Sequence, residues 1–169
     1  METMAAMAPA GSQKTDQRAG KYLTFQLGNE EFAIQVLRVR EIMGIQEITA
    51  VPQTPHYVKG VINLRGKVIP VVDLRLKFGL AELEYTPRTC IIVVQIESEA
   101  GRLMIGVIVD AVSEVLTLQS ADIEDTPDFG SGVATPYLLG MAKIKGKVKI
   151  LLDINMVLSS QELQVLPSF

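Results

Sequence analysis

The feature that most limits how this chain can fold is an internal duplication. The stretch GVINLRGKVIPVVDLRLKF at residues 60–78 has the same pattern as GMAKIKGKVKILLDINMVL at residues 140–158. Each stretch has two apolar runs joined by a basic residue and a glycine, Arg65 and Gly66 in the first. A repeat of this kind indicates two copies of one supersecondary unit.

Two fixed shifts relate the copies. A shift of 80 residues aligns the two stretches, and a shift of 73 residues aligns FAIQVLRVREI (32–42) with IGVIVDAVSEV (105–115). The second copy therefore carries seven additional residues, within SADIEDTPDFGSGVATP. The identical pairs are Gly60 and Gly140, Gly66 and Gly146, Lys67 and Lys147, Val68 and Val148, Asp73 and Asp153, Val36 and Val109, Val39 and Val112, and Glu41 and Glu114.

The repeat sets the expected organisation of the chain. We expect a first copy over residues 21–85 and a second over 86–160, in one domain over 21–165. The Ala, Gly and Gln-rich residues 1–20 predict a disordered tail, and residues 161–169 form a C-terminal segment.

Short β-rich runs and turn signals fill each copy. YLTFQL (22–27) and EFAIQV (31–36) flank the turn signal GNE and predict a hairpin, with a further strand over residues 43–50. The spacing of apolar residues in LRVREI predicts a helical turn or bend, and DAVSEV (110–115) predicts a turn and helix. Asp73 is expected to cap a short helix that ends before Gly79. Five short strands, twice over, predict an all-β fold of two small antiparallel barrels.

Composition excludes several functions. A net charge of -3, a pI near 5.2 and only 5% aromatic residues argue against nucleic-acid binding, which needs a basic surface and stacking rings. The single Cys90 lies in an apolar run and cannot form an intramolecular disulfide. With no signal peptide or membrane-length apolar run, we predict a cytoplasmic protein without direct membrane insertion.

Catalytic motifs are absent from the sequence. The one histidine, His56, lies between Pro55 and Tyr57 without a second His or Cys at metal-ligand spacing, and no nucleophile elbow or phosphate loop occurs. We therefore predict no enzyme activity, no metal and no cofactor. The alternative is a small-barrel ligand-binding module or enzyme with a site between the barrels, which predicts a concave site holding titratable residues with shifted pKa values.

The apolar residues exceed what one wall of a small barrel can bury. Two explanations are open: they pack the barrels against each other, or they line an exposed groove that accepts an amphipathic helix of a partner, and both can hold at once. Arg65 is similarly either a solvated turn residue or a fork-shaped contact for a carboxylate. The residues in excess are Val36, Leu37, Val39 and Ile42 in the first copy and Val109, Val112 and Val115 in the second.

Three motifs in combination resemble the CheW-type bacterial chemotaxis coupling proteins. They are Gly-Val-x-Asn-x-Arg-Gly from residue 60, Pro-Val-x-Asp-Leu from residue 70 and Gly-x-x-Val-Asp-x-Val from residue 106. The resemblance implies two five-stranded SH3-like barrels, intertwined and with short helices. It also implies a non-catalytic adaptor that couples the cytoplasmic hairpin tip of chemoreceptors to the regulatory domain of the CheA histidine kinase, in receptor arrays at the inner membrane.

The resemblance also assigns site residues by motif match. The receptor-binding positions it implies are Val36, Val39, Glu41, Ile42, Arg65 and Val115. The implied kinase or array contacts are Gly60 and Phe129.

Overall fold

The computed structural model describes residues 17–98, 101–125 and 137–157, and strands make up most of these residues. The strands are β1 (Gly20–Leu27), β2 (Glu30–Gln35), β3 (Val39–Gly44), β4 (Val58–Leu64), β5 (Lys67–Asp73), β6 (Cys90–Ser98), β7 (Gly101–Val109), β8 (Ala111–Leu118), β9 (Ile123–Glu124), β10 (Leu138–Ile144) and β11 (Lys147–Leu152). The helices are single turns: 3-10 turns at Val36–Arg38 and Ser120–Asp122, and α-helical turns at Leu74–Lys77 and Ile154–Val157.

The strands form two sheets. Sheet 1 has the order β3-β6-β7-β5-β4, and sheet 2 has the order β8-β1-β2-β11-β10-β9. The predicted all-β fold of two SH3-like barrels from a duplication is confirmed, with the two-residue β9 as a sixth strand in sheet 2.

Each sheet combines strands of both copies. The first-copy hairpin β1–β2 lies in sheet 2, and the second-copy hairpin β6–β7 lies in sheet 1. The exchanged hairpins join by parallel pairing, β5 with β7 (Val71 opposite Gly106) and β11 with β2 (Leu151 opposite Ala33). The prediction of purely antiparallel barrels is therefore wrong at one pairing in each sheet.

Three apolar clusters follow from this exchange. One lies inside sheet 1 around Ile69 and Ile91, and a second lies inside sheet 2 around Tyr22 and Leu151. The third and largest cluster takes side chains from both sheets, Phe25 among them, and we call it the inter-sheet core. Because this core needs both sheets, neither barrel buries its apolar surface alone.

A carboxylate holds the point where the chain crosses from sheet 1 to sheet 2. The Oδ2 atom of Asp110, between β7 and β8, accepts from the Gly28 amide and from Arg75 Nη1, each at 2.7 Å. Arg75 Nε also donates to the Ala81 carbonyl at 3.0 Å, in the segment that links the two copies. This contact fixes the turn of the exchanged hairpin β1–β2 against sheet 1.

Both long hairpins turn in the same way. Arg65 and Gly66 have φ values of 51° and 86°, and Lys145 and Gly146 have 53° and 80°. Positive φ at both central residues defines a type I′ turn, whose twist suits a two-residue hairpin. The predicted turn is therefore present in both copies.

Helix capping also agrees with the prediction. The Asp73 side chain accepts from the Arg75 amide at 2.9 Å at the start of Leu74–Lys77, and Gly79 lies beyond the helix end with φ of 79°. Asp153 caps the second helix in the same way, accepting from the Asn155 amide at 3.1 Å.

Three local predictions are wrong. DAVSEV is not helical but the first part of β8, and the strand expected over 43–50 ends at Gly44. Residues 17–20, assigned to the tail, belong to the folded part, because Arg18 is buried and donates to the Leu139 carbonyl at 2.7 Å. Residues 1–16 and 161–169 lie outside the described residues.

Gly60 lies where two backbones meet. It has φ of 142°, and a Cβ there would lie 2.0 Å from the Thr49 carbonyl oxygen. Thr49 and Val61 exchange two backbone hydrogen bonds of 2.9 Å, which hold the segment between β3 and β4 against β4. The repeat-related Gly140 has φ of 154° and would clash with the Glu124 carbonyl in the same way.

We predict that Gly60→Ala destabilises the fold by about 2 kcal/mol or more, since a strained φ alone costs about 1–3 kcal/mol. Gly44→Ala is the matched control, because Gly44 has open space around it and also lies in a strand of sheet 1. The free energies of unfolding in urea would measure both changes. Equal stability of the two variants would contradict this role of Gly60.

Candidate protein-interaction site

Two β-bulges give the edge strands β3 and β8 an unusual apolar face. In β3, Val39 is opposite Val94 and Ile42 is opposite Ile92, with a register shift between Val39 and Glu41. Val94 and Ile92 belong to the inter-sheet core, and directly opposite residues share a face of the sheet. The bulge therefore places Val39 and Ile42 on one face although they are three residues apart.

β8 repeats this arrangement in sheet 2. Val115 is opposite Leu23 and Val112 is opposite Phe25, again across a register shift. The hydroxyl of Thr24 fills the bulge: it donates to the Glu114 carbonyl at 2.9 Å and accepts from the Glu114 amide at 3.0 Å.

These residues form an apolar strip at the edge of the inter-sheet core. Part of the strip packs against that core, and part of it is exposed, with Ile42 44% and Val115 56% accessible. The packing explanation therefore holds for the part that contacts the core, and the partner-helix explanation stays a prediction for the exposed part. Val109 is fully buried and contributes to the core alone. We define the apolar strip as Val36, Val39, Ile42, Val112 and Val115.

Arg65 and Glu41, both predicted as receptor contacts, form one ion pair. Arg65 Nη2 donates to Oε1 of Glu41 at 2.5 Å, and Nη1 donates to Oε2 at 3.3 Å. The guanidinium is 72% exposed and the carboxylate 31% exposed. The pair ties the turn of the β4–β5 hairpin to β3, the opposite edge of sheet 1.

Electrostatics agree with this two-point contact. The hydrogen bonds from Arg65 hold the pKa of the Glu41 carboxyl below its usual value. The same contact raises the pKa of the Arg65 guanidinium above its usual value. Both groups are therefore charged in neutral solution, and the pair can present charge beside the apolar strip.

Sequence reasoning did not assign two residues at this site. Leu37, in the 3-10 turn before β3, is 84% exposed, and its only signal was the apolar excess already noted. Thr24 holds the β8 bulge, but its position in YLTFQL resembles any β-branched strand residue.

The two residues predicted as kinase or array contacts are Gly60 and Phe129. Gly60 is on β4, where the approach of Thr49 is sufficient reason for a glycine. Phe129 lies outside the described residues. Their roles as contacts stay predictions.

A cleft of about 450 Å³ provides a test of the alternative prediction of a ligand or catalytic site. Burial raises the pKa of Asp73, and burial together with Asp73 raises the pKa of Tyr85. The polar groups of this cleft bond to one another: Tyr85 donates to Asp73 at 3.3 Å, and Arg75 pairs with Asp110. Asp73 is a helix cap, so the groups of this cleft already have structural partners.

Metal-binding groups and membrane-spanning helices are considered next, within the described ranges 17–98, 101–125 and 137–157. Within them, no three His, Cys, Asp or Glu side chains come together as a metal site. The helices there are too short to cross a bilayer. Two interlocked SH3-like barrels with a partly exposed apolar strip define the class: a small scaffold domain that offers surfaces to other proteins.

Comparison with known proteins identifies the family. The CheW-like domain matches residues 21–162, and the chain belongs to this family. It is 38% identical over 160 residues to the chemotaxis protein CheW of Klebsiella aerogenes, covering 95% of this chain and 94% of that protein. It is 39% identical over 140 residues to CheW of Rhizobium meliloti, covering 83% and 88% respectively.

A solved structure gives the same result. The scaffolding protein TtCheW of Thermoanaerobacter tengcongensis superposes with a TM-score of 0.73 at 33% identity, covering 83% of this chain and 93% of that one. The chain is thus a chemotaxis scaffold of the CheW-like family, and the alternative of a ligand-binding module or enzyme is not favoured.

The Glu41–Arg65 pair predicts a specific titration. Because the pKa of Glu41 is lowered, the charged pair is complete above the usual glutamate range and is lost as pH falls through the lowered pKa. We expect Arg65→Ala to raise the pKa of Glu41 toward its usual value, measured from the side-chain carboxyl shift by NMR. Lys67→Ala, at the next exposed cation of the hairpin, should leave this pKa unchanged. A Glu41 pKa that does not respond to Arg65→Ala would contradict the pairing.

Proposed function

We propose that this chain is a non-catalytic adaptor that couples transmembrane chemoreceptors to the regulatory domain of the CheA histidine kinase. It acts in the cytoplasm and joins receptor arrays at the inner membrane through these two partners. The observation that carries the proposal is the exposed apolar strip beside a charged pair, in a chain of the CheW-like family.

The apolar strip suits the cytoplasmic hairpin tip of a receptor. A helix from such a tip presents apolar residues at spacings of three and four, which a continuous apolar surface can accept. Ile42 and Val115 provide exposed apolar area from β3 and β8, and the partly buried Val39 and Val112 hold these strands against the core. The strip thus supplies binding energy, as central apolar anchors do in other interfaces.

The Arg65–Glu41 pair sets the register of the receptor. Glu41 and Ile42 are adjacent in β3, so their side chains point to opposite faces of the strand. The mostly exposed Arg65 guanidinium retains donors for a receptor carboxylate or carbonyl beyond the two it gives to Glu41. Polar contacts of this kind contribute specificity more than affinity.

The kinase regulatory domain uses a different surface, with Gly60 and Phe129 as the proposed kinase or array contacts. Gly60 lies on β4 and is not part of the apolar strip, so we propose that one chain holds receptor and kinase together. Simultaneous binding is the property that separates an adaptor from a competitor of either partner.

Co-purification tests the proposal directly. A tagged receptor signalling fragment should retain the kinase regulatory domain only when this chain is present. Failure of the chain to bring the two proteins into one complex would contradict the adaptor function.

The same assay separates the two surfaces. We predict that Val115→Asp weakens receptor binding by roughly tenfold or more while kinase binding is kept, because a charge cannot be buried in an apolar contact. Leu83→Asp is the matched control, since Leu83 is also 56% exposed but lies in the segment between the copies. Loss of receptor binding in both variants would show that the strip is not the receptor site.

A charge exchange distinguishes direct contact from strand positioning. Arg65→Glu is expected to abolish receptor binding without loss of the fold, checked by thermal unfolding. Adding Glu41→Arg restores an ion pair between the β4–β5 turn and β3 but leaves a carboxylate where the receptor meets Arg65. We expect receptor binding to stay absent in the double variant; its recovery would mean that Arg65 acts by holding β3.

A further inference from the structure

The tip of the β10–β11 hairpin is a basic surface outside the proposed receptor and kinase contacts. Lys143, Lys145 and Lys147 alternate along the tip and all three are exposed. Within the described part of the chain, none of their side chains forms a hydrogen bond or ion pair. We call these three residues the lysine tip.

The fold does not require lysine at these positions. The first copy builds the same type I′ turn with Asn63, Arg65 and Lys67 at the equivalent positions. There the turn cation is neutralised internally, because Arg65 pairs with Glu41. The second copy keeps a glutamate at the equivalent position, Glu114, yet Lys145 does not pair with it.

The fourth lysine of the run shows what a structural lysine looks like in this barrel. Lys149 is buried in β11 and forms an ion pair with Glu31 across the parallel pairing. The other three keep their charge at the surface of a protein whose net charge is -3. Val148, 48% exposed, lies directly opposite Lys143 in the β10–β11 pairing and adds an apolar element to the tip.

The acidic residue that the strand register places beside the tip, Asp122, is already engaged. β9 pairs with β10 so that Ile123 is opposite Ala142, which brings Asp122 beside Lys143 in the register. The Asp122 carboxylate, however, accepts from the Gln119 amide at 2.8 Å at the start of its helical turn. The lysine tip therefore faces solvent with its ammonium donors available.

We propose that the lysine tip and Val148 form a docking site for an acidic, Asp- and Glu-rich segment of a partner protein. Carboxylates of the segment accept from the three ammonium groups, and an apolar side chain packs on Val148. This protein partner is favoured over a membrane, because stable attraction to anionic lipid needs clusters of about four to eight basic residues. It is favoured over nucleic acid, because the tip has no aromatic residue for stacking and the chain is acidic.

A synthetic peptide rich in Glu with interspersed Val tests this site on the full chain. NMR titration of the labelled protein should show amide shifts confined to residues 143–148. The same peptide with Gln in place of Glu should not bind, and added salt should weaken binding because exposed charges are screened. Absence of binding by the Glu peptide at low salt would overturn the proposal.

Matched charge variants decide whether the site is local. The variant K143Q/K145Q/K147Q should weaken peptide binding by roughly tenfold or more, since exposed ion pairs each contribute a small and removable share. K21Q/K67Q/R88Q removes the same charge from exposed positions elsewhere and should bind normally. Equal weakening in both variants would mean attraction by net charge alone and would overturn the site.

Two controls complete the test. Thermal unfolding of K143Q/K145Q/K147Q should match that of the unaltered chain, because the three side chains hold nothing in the fold. Sedimentation with phosphatidylserine vesicles tests the membrane alternative. Vesicle binding that depends on the lysine tip, without peptide binding, would assign the tip to lipid and overturn the protein partner.

Discussion

The structure depends on the parallel pairing of strands from different copies, β2 with β11 and β5 with β7. Each pairing inserts a hairpin of one copy into the barrel of the other, so the two copies cannot separate without losing backbone hydrogen bonds in both sheets. The inter-sheet core forms between them, and the edge strands β3 and β8 border it. The apolar strip is therefore a product of the exchange, because its two halves lie on different sheets and face one shared core.

The sequence predicted the repeated units well but did not predict which strands of the two copies pair with each other. Hairpin turns at Arg65 and Lys145 and the cap at Asp73 depend on residues close in the chain, so short-range chemistry determines them. No residues close together in the chain indicate that the hairpins β1–β2 and β6–β7 are exchanged. A shift of 73 or 80 residues identifies equivalent positions, but the apolar alternation of a hairpin fits the sheet of either copy.

The site residues likewise combine features that the local sequence predicts with features that only the folded barrel determines. Val39 and Ile42, like Val112 and Val115, are three residues apart, a spacing typical of helices, and here β-bulges produce it within strands. The local pattern is the same for both structures, so the error in DAVSEV could not be avoided from spacing alone. Family resemblance chose Glu41 and Arg65 separately, whereas their ion pair follows from the distance between β3 and the β4–β5 turn, which only the closed barrel defines.

The largely buried pair Lys149–Glu31 favours exchange of the hairpins over pairing within their own copy. By the same two shifts, the equivalent residues in sheet 1 are Ile69, which is fully buried, and Met104, which packs on the same apolar cluster. If β2 paired with β5 of its own copy, Glu31 would meet Ile69, and Lys149 would meet Met104 on the other side. Each charge would then be buried without its partner, at a cost of about 3–5 kcal/mol for a broken buried pair. In the exchanged arrangement Lys149 pairs with Glu31, and Ile69 and Met104 belong to one apolar cluster. The two copies differ at these positions, and this difference favours exchanged hairpins over hairpins that pair within their own copy.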